Sequence, residues 1–158
     1  MKKQAWKTYL LWILFTEAVG AFSGWLTRDG IEIFNEAVSK PPFSPPAIVF
    51  PIAWSLLYAL MGIGIARIAA KPNSDDQSHS RKLFLMQLCV NFLWSPLFFH
   101  LQAYGAALIW LLLLWVLVLL MIISFQKTDT IAAYLQIPYL IWLTFAAYLN
   151  FGVWVLNA

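Results

Sequence analysis

The chain has 158 residues, of which 62% are hydrophobic and only 11% charged, against roughly 25% charged for a soluble globular domain. That balance excludes a water-soluble fold and leaves an integral membrane protein. The net charge of +3 is modest and is better read through its distribution than as a nucleic-acid footprint, so no nucleic-acid partner is expected.

The N-terminal MKKQAWK leads into the first apolar span, about residues 8–26. No small-residue cleavage site follows, and Glu17 and Trp25 sit inside the run, so it reads as a retained segment and not a signal peptide. Further spans are expected at about 45–68, 83–101, 105–125 and 131–156, each near the 20 apolar residues that cross a bilayer. Residues 83 to 126 hold no Asp, Glu, Lys or Arg, and no side chain after Asp129 is charged. Nothing alternates with the two-residue period of a barrel strand, and backbone in hydrocarbon must satisfy itself. The fold class is therefore an all-α integral membrane bundle of five transmembrane helices, a single domain over residues 1–158.

Between the first two spans, residues 27–44 carry IEIFNEAVSK, amphipathic enough for a short interfacial helix or a solvated loop. Five of the eight prolines then fall between Pro41 and Pro51. Ser44 is expected to cap the second helix, with Pro45 and Pro46 in its first turn, where their missing N–H groups cost nothing. Pro51, Pro96 and Pro138 are expected to kink their helices. The stiffened 27–44 loop then suits a lid over a pocket. KPNSDDQSHSRK, residues 71–82, reads as a polar loop.

Lys and Arg on alternate sides give the orientation. Lys2, Lys3, Lys7, Arg67, Lys71, Arg81, Lys82 and Lys127 fall on one side, and Arg28 and Lys40 on the other. The N-terminus is expected inside and the C-terminus outside.

Helical periodicity aligns Trp54, Tyr58 and Met61 in the second span, Gln87, Asn91, Trp94 and Phe98 in the third, and Tyr139, Trp142, Ala146 and Asn150 in the fifth. Amides are costly in hydrocarbon unless bonded, so Gln87, Asn91 and Asn150 should turn inward and bring their stripes with them. Such stripes serve as packing, or as the wall of a site for a large flat ligand. Glu17 is the one carboxyl within a span, neutralised by protonation or by a bond across the bundle, or acting as a proton relay or ligand contact. Gly20 and Gly24 form a GxxxG pair that allows close helix approach within or between subunits.

Chemistry by catalytic side chains finds no support. His79 and His100 lie in or beside loops without a partnered nucleophile, metal-ligand spacing is absent, and no glycine-rich phosphate loop occurs. A lone Cys89 allows no internal disulfide. No catalytic residue, metal site or obligatory cofactor is expected.

KPPFSPP before the second span, PIAWSLLYALMG within it, NFLWSPLFF in the third and IPYLIWLTFAAYLNFGVW in the fifth together resemble the TspO/MBR family, the translocator or tryptophan-rich sensory proteins. The resemblance covers nearly the whole chain. It implies a five-helix bundle, commonly a homodimer, with a pocket facing the loop between the first two helices. It also implies binding of porphyrins such as protoporphyrin IX, in some members haem, cholesterol or synthetic isoquinolines and benzodiazepines, and in some bacterial members light-dependent porphyrin breakdown. By motif the pocket positions are Trp54, Tyr58, Asn91, Trp94, Phe98, Tyr139, Trp142 and Ala146. Phe43, where the family usually has a Trp, is expected to contact the ligand as well, and Phe34 and Asn35 replace a Trp-Tyr pair, leaving a less aromatic lid. YLNFGVWVLNA lacks the Lys or Arg of the animal cholesterol pattern, so cholesterol is not expected.

The expected function is a receptor or sensor of porphyrin or a similar flat apolar ligand, linked to tetrapyrrole homeostasis and stress response, in a bacterial cytoplasmic membrane. Its partners would be the bilayer, the ligand and a second copy of the chain. Alternatives are a transporter of apolar or amphipathic metabolites, with Glu17 titrating, and a light-dependent porphyrin-degrading enzyme.

Overall fold

The computed structural model describes residues 2–158, with side chains from residue 5 onward. Helices α1 (Lys2–Leu26), α2 (Arg28–Ala37), α3 (Val49–Ala69), α4 (Asp75–Ser95), α5 (Tyr104–Thr128), α6 (Thr130–Tyr134) and α7 (Ile137–Asn157) follow in order, and a π-helical turn over Pro96–His100 continues α4. Among the described residues, five helical stretches are long and apolar enough to cross a membrane: α1, α3, α4 with its π-turn, α5, and α6 with α7. The 27–44 segment contains a helix, α2, followed by an extended run.

Three local expectations are corrected. Helix α3 starts at Val49, not Pro45. The Ser44 hydroxyl donates to the Pro41 carbonyl at 2.7 Å, so it caps the loop and not the helix. Pro51 consequently lies in the first turn of α3, where no N–H partner is lost, and it produces no kink. Helix α4 begins at Asp75, inside the stretch read as a loop. Ser74 accepts from the Gln77 N–H at 3.1 Å, and Asp75 and Asp76 in the first turn favour the helix dipole. Pro138 does not bend a continuous helix: α6 stops at Tyr134 and α7 restarts at Ile137 with proline in its first turn. The buried Gln136 fills the break, donating to the Leu60 carbonyl at 3.1 Å.

Pro96 acts as expected of a helix-perturbing proline. The Leu101 N–H reaches the Pro96 carbonyl five residues back at 2.9 Å, the wider register of a π-turn.

The core is built from Met61, Ile65, Phe84, Val118, Met121 and Phe125, all fully buried. Leu11, Ile109, Leu112, Ile141 and Val155 stand exposed around the outside, the surface a bilayer covers. On the membrane's edge Asp129 ties three elements together. Arg67 of α3 binds it bidentately at 2.9 and 3.0 Å, Lys71 reaches it at 2.9 Å, and its own carboxylate caps α6 by accepting from the Ala132 N–H at 2.8 Å. Burial alone would raise this carboxyl, but the hydrogen bonds from Arg67 and Lys71 outweigh it and hold Asp129 well below the usual carboxylate range.

Candidate functional site: an aromatic cavity between the helices

The amides do turn inward. Gln87, Asn91 and Asn150 are all buried, and each is satisfied by a partner on another helix. Tyr58 donates to the Asn91 carbonyl oxygen at 2.7 Å, Asn91 donates to the Tyr139 hydroxyl at 2.5 Å, and Tyr139 donates to Gln87 at 2.9 Å. Nearer the loop side, Trp94 Nε1 donates to Asn150 at 3.2 Å, and Asn150 in turn donates to the Tyr104 carbonyl at 2.8 Å. In hydrocarbon such bonds replace those that water would make, so they lock the orientation of the rings beside them.

Those rings and amides border a cavity of about 690 Å³, walled by α1, α2, the proline-rich run, α3, α4 with its π-turn, and α7. Trp54, Tyr58, Asn91, Trp94, Phe98, Trp142 and Ala146 all line it. Trp54 meets Trp142 edge-on, with centroids 6.4 Å apart, while Trp94 stacks on Phe98 at 4.9 Å. Trp142 Nε1 is buried and has no hydrogen-bond partner among the described residues.

Two sequence-predicted positions lie elsewhere. Tyr139 is buried behind the wall, holding Asn91 in place, and does not border the cavity. Phe43 is 89% exposed and outside the lining. Its backbone has φ 65°, a left-handed conformation that turns the chain back and points the ring away from the bundle.

The 27–44 segment supplies part of the cavity wall. Ile31, Phe34, Asn35, Lys40, Pro41 and Ser44 line the cavity. Lys40 donates to the Asn35 carbonyl at 3.2 Å and lies 5.0 Å over the Phe34 ring. The run is fastened to α7: Tyr148 donates to the Pro42 carbonyl at 2.7 Å, and Asn157 exchanges two hydrogen bonds with the Ser39 backbone at 2.8 and 3.1 Å.

One wall went unrecognised as such in the sequence. Glu17, Gly20, Ser23 and Gly24 of α1 face the cavity, and their spacing is that of a single helical stripe. A Cβ on Gly20 would collide with the Tyr58 ring, whereas one on Gly24 would meet nothing within 4 Å. The GxxxG pair therefore divides its work within the subunit: Gly20 admits the ring, and Gly24 leaves space.

A family model for the TspO/MBR family matches residues 9–155. The chain belongs to the TspO/MBR family. Among curated relatives it is 38% identical over 146 residues to a tryptophan-rich protein TspO of Archaeoglobus fulgidus, covering 92% of this chain and 94% of that one. It is 37% identical over 123 residues to protein CrtK of Rhodobacter capsulatus, covering 77% of each. Against the translocator protein of Bos taurus it is 34% identical over 120 residues, covering 75% of this chain and 71% of that one. In this member of the family, Phe34 and Asn35 are both on the cavity wall: Phe34 packs 5.4 Å from Phe98, and the Asn35 backbone carbonyl accepts from Lys40.

Proposed function

We propose that the chain is a membrane receptor or sensor that takes a porphyrin, such as protoporphyrin IX or haem, or a similar flat apolar ligand, into its cavity. It would link tetrapyrrole levels to stress response as a homodimer in a bacterial cytoplasmic membrane, N-terminus inside. The observation that carries this reading is the convergence of Trp54, Trp94 and Trp142 from three helices on one cavity of about 690 Å³, within the range that holds small-molecule ligands. Ring faces offer stacking surface to a macrocycle. Lys40 at the lid offers a cation to a carboxylate.

The test is a titration of protoporphyrin IX in the dark, followed by tryptophan fluorescence, on wild type, Trp142→Phe and Ala146→Leu. Saturable quenching that weakens about tenfold on bulking Ala146 is the expected result. Equal quenching in the Ala146→Leu protein, or no saturation in wild type, overturns the reading.

A further inference from the structure

Glu17 has no role in the porphyrin reading. It is the one carboxyl inside a membrane span, half-buried, and it lines the cavity. Nine residues separate it from Leu26 at the end of α1, which places it about 14 Å deeper along the helix than the lid. The ion pairs among the described residues are Arg28 with Asp29 and both Arg67 and Lys71 with Asp129. Glu17 is in none of them. The cavity's cation, Lys40, belongs to the lid and is held there by Asn35 and Phe34.

A carboxylate in such surroundings is stabilised by a cation brought to it, because each desolvated charge then compensates the other. The cavity has what an ammonium group needs beyond that charge. Tyr58, Trp54 and Trp94 line the same cavity with electron-rich rings that attract cations. Two turns nearer the lid than Glu17, the open space at Gly24 leaves room for the apolar body. A neutral or anionic ligand would leave the Glu17 carboxyl without a counter-charge.

We infer that the cavity also binds amphiphilic amines, with the protonated amine at Glu17 and the apolar body among the tryptophan rings. This rests on the cavity being a ligand site, as proposed above, but assigns it a second ligand class.

The experiment uses the full chain in phosphatidylcholine nanodiscs at neutral pH, with two nearly isosteric probes, 1-pyrenemethylamine and 1-pyrenemethanol. Energy transfer from tryptophan to pyrene reports saturable binding. Wild type is expected to hold the amine about tenfold more tightly than the alcohol. Glu17→Gln should bring the two within about twofold, and Glu17→Asp, which keeps the charge, should retain a preference for the amine. Equal affinities in wild type, or a preference that survives Glu17→Gln, overturn the inference. Protoporphyrin IX is run alongside: its saturable binding without any amine preference sinks this inference and spares the porphyrin reading, while no saturable binding of any probe sinks both.

Discussion

The Asn91 side chain donates to the hydroxyl of Tyr139 at 2.5 Å, so a tyrosine that never borders the cavity sets the position of an amide that does. Removing that hydroxyl in Tyr139→Phe strands both the Asn91 donor and the Gln87 acceptor in the core. A cost of about 1–3 kcal/mol is expected, read as a lower thermal midpoint by circular dichroism. A midpoint unchanged from wild type would mean the network contributes nothing to folding.

Two glycines one turn apart should respond in opposite directions. Gly24→Ala faces open space and gains helix propensity, so it should stabilise by about 0.8–1 kcal/mol. Gly20→Ala meets the Tyr58 ring and should destabilise by about 1–3 kcal/mol. Gly24→Leu should keep its stability while losing ligand affinity, because the larger side chain occupies the vacancy. Thermal melts together with the porphyrin titration check all three.

Asp129 makes stability pH-dependent. Burial would raise its carboxyl, but Arg67 and Lys71 hold it well below its ordinary value of 3.8. The folded state thus takes up a proton less readily than the unfolded state, and the stabilisation is fully present above that ordinary value and lost as pH falls below it. Asp129→Asn should cost about 3 kcal/mol at neutral pH, since two cations lose their buried partner. The difference between the two proteins should hold down to about pH 4 and shrink only below it, as followed by thermal unfolding. A pH-independent difference would remove the carboxylate from this account.

Phe43 holds a left-handed backbone, which costs a residue with a Cβ roughly 1–2 kcal/mol and which asparagine tolerates better. Phe43→Asn should therefore leave the midpoint unchanged or raise it, and should leave porphyrin affinity within about twofold, because the ring lies outside the cavity. A loss of affinity beyond that would place the ring in the ligand's path.

The five spans were legible because a bilayer imposes one rule on every span, a long apolar helix, and that rule acts on composition within a short window. The inward turn of Gln87, Asn91 and Asn150 was legible for a related reason, since a buried amide must find a partner and helical spacing carries its neighbours along. Local starts and stops were harder. The Ser44 hydroxyl can accept from an N–H at a helix start or donate to a carbonyl behind it, and only the folded loop shows it turned back to donate to Pro41. Once that choice moves the helix start by four residues, Pro51 changes from a kink to a harmless first-turn residue.

The sequence by itself determined that this is a five-span helical membrane protein with rings and amides on common faces, because those properties follow from residue type and period alone. Only the tertiary structure decided which members of each face border empty space. Tyr139 and Trp142 lie three residues apart on one stripe of α7, yet one is sealed behind Asn91 and the other lines the cavity. That difference depends on how far apart neighbouring helices are held, and Gly20 against Tyr58 and the break at Gln136 set those distances through contacts between residues far apart in the chain.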